Sequence, residues 1–392
     1  MPSLLIKNIG TLVTGDLKAP LRQADSIYLE DGMVRAIGNG VNYQADIVVD
    51  ACGITAMPGL VDSHSHPTFG DFAPAQNALS WINHYMHGGV TALISAGELH
   101  VPGLPLPPEP RIALSLALLA KCCFDNVRPS GVKVHGGTLL LVPGLQEEDF
   151  DTIAAAGIRL VKFIFYDYSL LPNGEAERYV LWARARGMKV KIHSGGVSRS
   201  GVSQVAGWEI VNRIRPDIVG HITGGPIPMP EEEMRKIVDE GNLFFEICSS
   251  GNSRMVLALI DEVKRKGAFH RVLVGTDTPG GTGIIPRGML REIAFLSSLG
   301  HVQPEVAIAM ATGNVGRAHG LPIGTLVEAR AADIVLLDRV KGSVAKDTLS
   351  SFTQGDLPGI SVVMIDGEMT VAGRSQQTPP PERSAIIERK RA

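Results

Sequence analysis

Cysteine is scarce in the 392-residue sequence: Cys52, Cys122, Cys123 and Cys248 are all there is, and two of them are adjacent. That spacing makes neither a disulfide framework nor a paired CxxC zinc ribbon, and it points to a reducing compartment. No apolar run approaches the roughly 20 residues that a membrane span requires. The first residues lack a basic segment followed by an apolar run and a small-residue cleavage site, so no secretory signal is expected. The expectation is a cytoplasmic protein with no membrane partner. Charge of one sign is also missing: 37 basic against 40 acidic side chains leave a formal net charge of −3. Such a chain has no field to hold a polyanion, which excludes nucleic acid as a partner. Three catalytic or nucleotide motifs are absent as well. No G-x-G-x-x-G follows the first strand, no G-x-S-x-G marks a serine nucleophile, and the Gly-rich stretch Gly275–Gly288 has no Walker spacing.

What the sequence does have is 44% hydrophobic residues, 44 glycines and 25 prolines, enough for a large core with many tight loops. The length allows two or three domains, or one large α/β barrel with an appendage. Up to residue 57 the chain reads as short, half-buried strands (Ser3–Ile9, Ser26–Leu29, Val34–Ile37, Ile47–Val49), with Asp31-Gly32 as a hairpin turn. The same texture returns in Ala332–Asp338 and Ile360–Ile365, with Asp366-Gly367 as a second hairpin turn. Between these ends, strand-length apolar runs alternate with helix-length amphipathic ones, the βα repeat of a parallel sheet. Counting the run that ends at Asp62, there are eight candidate strands, the others being Thr91–Ser95, Val132–His135, Leu160–Phe165, Lys189–Ile192, Ile218–His221, Leu243–Ile247 and Val272–Val274. Eight fit a (β/α)8 TIM barrel. The expected fold is α/β: a barrel over 58–321, a small β-sandwich domain built from 1–57 and 322–375, and a surface tail over 376–392.

The chemistry concentrates at strand ends. Gly59-Leu60-Val61-Asp62-Ser63-His64-Ser65-His66 closes an apolar strand with two histidines one residue apart, so both imidazoles point the same way. Three later strands also end in a potential ligand, His193, His221 and Asp277, each followed by turn-forming residues. Imidazole and carboxylate together suit zinc, iron or manganese. Lys162 lies inside the apolar run Val161-Lys162-Phe163-Ile164-Phe165-Tyr166, where a buried ammonium must either pair with an anion or lose its proton. A neutral lysine amine can add carbon dioxide and become a bridging carbamate; a salt-bridged lysine is the plainer alternative. His135, at another strand end, together with Asn252 and Thr278 near the rim, are candidate substrate contacts, with packing or loop capping as the competing role. Glu98 and His100 are expected on a surface loop.

His64-x-His66, Lys162, His193, His221 and Asp277, in this order, resemble the metal-dependent amidohydrolase superfamily. The Pro58-Gly59-Leu60-Val61-Asp62-x-His64-x-His66 run and the Ala332-Asp333-Ile334-Val335 strand are typical of it. Segments such as Gly131-Val132-Lys133-Val134-His135-Gly136-Gly137 and Met310-Ala311-Thr312-Gly313-Asn314 resemble the branch that opens cyclic enamides. The resemblance implies two divalent metal ions, zinc foremost and iron or manganese otherwise, with His64 and His66 on one, His193 and His221 on the other, and a CO2-derived carbamate on Lys162 between them. It further implies hydrolysis of a cyclic amide by a metal-bridging hydroxide, with Asp277 ligating the first ion and serving as general base and then general acid. A homo-oligomer, dimer or tetramer, is expected. The alternatives are a hydantoinase- or dihydroorotase-like enzyme, an N-acyl amino acid amidohydrolase, a mononuclear deaminase of the same superfamily, and a non-catalytic barrel.

Overall fold

The computed structural model describes residues 2–68, 80–101, 103–198 and 201–389. Both chain ends fold as β structure. One sheet has the strand order Ile386–Arg389, Ile47–Asp50, Leu4–Lys7, Ser26–Glu30, Met33–Gly38. A second runs Glu368–Val371, Gly359–Ile365, Ile334–Asp338, Thr55–Pro58, Thr11–Val13, Leu21–Arg22. Leu4, Ile6, Ile27 and Val49 from the first sheet share a buried core with Leu12, Ala56, Ile334, Leu336, Val362 and Met364 from the second. Both Asp-Gly hairpins form where the sequence places them. Asp31 and Gly32 have φ of 51° and 75°, and Asp366 and Gly367 have 48° and 76°, the left-handed pair a two-residue turn needs to match strand twist.

The segment expected as a surface tail is not one. Ile386–Arg389 pairs antiparallel with Ile47–Asp50, setting Ile387 opposite Val49, and the guanidinium of Arg383 binds the buried carboxylate of Asp338. The short run covers the edge that Ile47–Asp50 would otherwise leave open. Only Ile387 packs on the core, so too little apolar pattern remains to announce a strand.

The middle of the chain forms two parallel sheets. Lys133–His135, Val90–Ser95 and Leu60–Ser65 make one; Leu139–Leu141, Leu160–Phe163, Lys189–His193, Ile218–Gly220, Phe244–Cys248 and Val272–Gly275 make the other. Hydrogen bonds beyond the strand ends link the last strand to the first: Asp277 N donates to His64 O at 2.8 Å and His66 N to Thr278 O at 2.7 Å. The strand expected over Val132–His135 is divided. Lys133–His135 pairs with Val90–Ser95, and after Gly136-Gly137-Thr138 the chain resumes as Leu139–Leu141 beside Leu160–Phe163. The break is built by glycine: a Cβ on Gly136 would lie 2.4 Å from a Phe124 ring carbon. The Gly137 N–H, released from the ladder, donates to the buried Glu98 carboxylate at 3.0 Å.

The helices between strands keep their expected places. Ser253–Lys266 buries Met255, Val256, Leu259, Ile260 and Val263, one face at helical spacing. Its first turn is held by Asn252, whose side-chain oxygen accepts from Met255 N at 3.2 Å. Replacing a capping Asn with Ala costs about 1 kcal/mol, so Asn252→Ala should lower the thermal midpoint by a few degrees in a melting experiment. Among the described residues no helix is long and apolar enough to cross a membrane, and all four cysteines are free.

Candidate metal centre

Inward-facing positions alternate along the parallel strands and change character from end to end. Val61, Leu160, Ile218 and Leu273 fill the interior near the strand starts, and polar groups take over toward the strand ends. There the structure brings His64, His66, Lys162, His193, His221 and Asp277 together, all buried. His66 Nε2 lies 3.3 Å and His64 Nε2 3.6 Å from Asp277 Oδ1. Lys162 Nζ lies 3.0 Å from His64 Nε2, and His193 Nδ1 3.0 Å from His221 Nε2. Two nitrogen or oxygen ligands on one tetrahedral zinc at 2.0–2.1 Å are themselves about 3.4 Å apart, so these separations suit a shared cation.

The outward nitrogens show which atoms are left for a ligand. His66 Nδ1 donates to the Gly97 carbonyl at 2.6 Å and His64 Nδ1 to Glu246 Oε2 at 2.5 Å. His193 Nε2 donates to the Gly196 carbonyl at 2.8 Å. Each bond fixes a tautomer whose bare nitrogen faces the common centre, as metal-binding histidines require. His221 Nδ1 is buried without a partner; a proton there leaves Nε2 bare against the bare Nδ1 of His193, a repulsive pair that a cation relieves.

Charge states agree with this donor set. Burial pushes the His221 imidazole down to about 3 and the His193 imidazole down to about 4, and lowers His64 and His66 as well, so neutral rings are on offer at pH 7. Burial opposes charge on Asp277, but its contact with His66 and the other imidazoles around it outweigh that and hold the carboxyl well below the usual range. Burial, followed by the like charge of Lys191, brings the Lys162 amine down to about 8. The residues present therefore fit divalent metal.

Beneath the centre lies a network that the sequence reading missed. Glu246 Oε1 accepts from Ser63 Oγ at 2.7 Å and from Lys191 Nζ at 2.8 Å, while Oε2 takes the His64 proton. Glu246, His64 and Cys248 also lie close enough to form a second ligand group, but this carboxylate is already fully engaged. Asp62 accepts from Thr276 N at 2.9 Å and from Thr276 Oγ1 at 2.5 Å, tying the first strand to the last. The signal was present: Lys191 and Glu246 interrupt apolar strands just as Lys162 does. Removing an outer-sphere partner of a metal-binding His typically costs roughly 10–100-fold in metal affinity. Glu246→Gln should show that loss in a competitive chelator titration.

The remaining candidates fall elsewhere. His135 faces a separate cavity of about 160 Å³, with His319, Lys121 and Arg159, and its Nε2 has no partner. Thr278 Oγ1 donates to the Gly283 carbonyl at 2.9 Å and also meets the Tyr85 hydroxyl, which organises the loop after Asp277. Asn252 is spent on its helix cap. His100 is on an exposed loop as expected but also lines the same pocket as Lys162, His193 and Asp277, with its ring edge-on to His66 at 5.3 Å, whereas Glu98, expected beside it on the surface, is buried.

A central set of parallel strands carrying this donor cluster at its ends, beside a β unit made from both termini, defines a class of metal-assisted hydrolases. Comparison with known proteins agrees: the Amidohydrolase family profile matches residues 229–370, and the chain belongs to the amidohydrolase superfamily. Within it, the chain is 41% identical over 391 residues to enamidase of Eubacterium barkeri, covering 99% of this chain and 100% of that one. The 1.9 Å crystal structure of enamidase, described as a member of the amidohydrolase superfamily, superposes with a TM-score of 0.91 at 40% identity, over 98% of this chain and 100% of the other. Dihydropyrimidinase from Brevibacillus agri shares the fold, with a TM-score of 0.66 at 16% identity over 97% and 99% of the two chains.

Proposed function

We propose that this chain is an enamidase-like hydrolase that cleaves the acyl C–N bond of a cyclic enamide. The observation that carries the reading is the convergence of four neutral imidazoles, one carboxylate and one deprotonatable lysine at the ends of five strands, in a chain similar end to end to enamidase. His64, His66 and Asp277 would hold one divalent ion and His193 and His221 a second, with zinc, iron and manganese all suited to the donors. Lys162, through its neutral amine, would add carbon dioxide and release a proton, and the resulting carbamate would serve as a further oxygen ligand for the metal. Ions bound there would lower the pKa of water and polarise the amide carbonyl.

The chain's own residues supply the rest. Glu246 and Gly97 hold His64 and His66 in register. Asp277, ionised and on the pocket wall, accepts a proton from the attacking water and returns it to the leaving nitrogen, without which an amide nitrogen is a poor leaving group. Ring opening frees an enamine; a second water converts it to an aldehyde and ammonia.

The domain reading is part of the same proposal: a closed (β/α)8 barrel over 58–321, with the divided strand counted once, and a composite sandwich from 1–57 and 322–375. The bonds from Asp277 and His66 across the seam support closure, and the shared core of the two outer sheets supports the sandwich. The free cysteines accord with a cytoplasmic location, and a homo-oligomer is part of the same proposal. The metal-loaded protein should open a six-membered unsaturated lactam with one ammonia per ring, and turn over hydantoins and N-acyl amino acids far more slowly. Preferred turnover of either alternative would move it to that branch.

A further inference from the structure

Among the described residues, His100 is the one titratable side chain lining the catalytic pocket that lies outside the proposed ligand set. It is exposed, and it follows a short anchored stretch, Ala96–Glu98, in the connection between Val90–Ser95 and Pro110–Asn126. Ala96 N donates to Ser65 O at 2.8 Å, the Gly97 carbonyl takes the outer proton of His66, and Glu98 is anchored by Gly137 N. The loop thus grips His66 from outside and returns over its edge with the His100 ring, at 88° to the imidazole of His66.

The opposite wall is shaped to receive that ring. A Cβ on Gly280 would lie 1.9 Å from His100 Nε2 and 2.6 Å from its Cε1. Gly280 has no positive φ, so space rather than backbone conformation demands glycine here. Gly280 belongs to the turn that Asp277 begins, in which Gly281 N and Thr282 N both donate to the Asp277 carbonyl. His100 therefore reaches the pocket beside His66 and the turn that Asp277 begins, the residue that would return the proton to the leaving nitrogen.

We infer that His100, seated against Gly280, forms the wall that contacts the leaving-nitrogen half of the amide substrate and selects among amides by that half. The inference rests on the hydrolase reading above and not on which ring is opened. Its chemistry is a planar imidazole at a solvent-facing mouth, whose ring sets the width left for substrate. It favours compact leaving halves, as in a small ring, over bulky ones.

The test is a double-mutant cycle of His100→Ala and Gly280→Ala in the metal-loaded enzyme, assayed on whichever amide class the wild type hydrolyses. Failure of the enamide reading would thus appear in the wild type alone and leave the cycle interpretable. His100→Ala should raise KM about tenfold with kcat within about threefold and metal content unchanged, the loss expected for one pocket contact. It should also narrow the preference for compact over bulky leaving groups, and His100→Asn should recover part of the loss. Gly280→Ala should raise KM in the wild-type background by pushing the ring aside, yet add nothing once His100 is Ala, where the obstruction is gone. Three results would overturn the inference: an unchanged KM in His100→Ala; a loss confined to kcat and metal content, which would make the ring only a prop for His66; or effects of the two substitutions that multiply.

Discussion

Lys162→Ala should lose hydrolysis by about 10³-fold, the several kcal/mol that loss of one metal's stabilisation of the transition state is worth. Its bound metal should fall below two ions per chain. The metal-free chain should stay folded, because there Lys162 and Lys191 are amines buried near each other and removing one relieves a like-charge contact. The space left is that of a lysine side chain, so acetate or propionate should restore part of the activity and of the second ion by supplying the missing carboxylate. Circular dichroism, metal analysis and assays with and without the added acid check all three points. Inactivity with full metal content would mean that Lys162 acts on substrate and not on metal. The wild type carries the complementary signature. Only the neutral amine attacks carbon dioxide, and with the amine near 8 roughly a tenth is neutral at pH 7 against half at pH 8. At fixed dissolved carbon dioxide, reactivation of metal-free protein should therefore quicken as pH rises across this window.

Asp277→Asn should lower kcat by about 10²–10⁴-fold, the range for loss of a positioned proton carrier. The amide of Asn can still face His66 and fill the same volume, but it cannot take a proton and return it. Substrate binding should be much less affected, so the loss should sit in kcat and not in KM. Amides with better leaving groups, such as anilides, should be impaired less, because their nitrogen needs the returned proton less. An equal loss across leaving groups would assign Asp277 to metal holding alone.

Much of this was legible in the sequence, for physical reasons that differ by element. The Asp-Gly hairpins announce themselves because two consecutive left-handed residues are expensive for most side chains. His64-x-His66 announces itself because period-two geometry makes both rings converge. His193, His221 and Asp277 stand out as polar ends of apolar runs. The divided strand did not stand out: Leu139–Leu141 looks like the continuation of an apolar loop, and only the Glu98 bond and the crowding at Phe124 reveal why the ladder breaks there. Asn252 could not be told from a substrate ligand, since the residue types that cap helices are also those that bind substrates. His100 was hidden because whether a loop histidine faces solvent or a pocket depends on the Gly280 turn, some 180 residues away in the chain. Glu246 and Lys191 were missed by treating Lys162 as a solitary anomaly, when a buried charge is a reason to search neighbouring strands for its partners.

The most direct test is metal analysis joined to a crystal structure of protein reconstituted with a divalent metal and bicarbonate. The expected result is two ions per chain, one on His64, His66 and Asp277 and one on His193 and His221, with extra density on Lys162 Nζ bridging them. A single ion beside an unmodified Lys162 amine would contradict the binuclear hydrolase and favour a mononuclear deaminase.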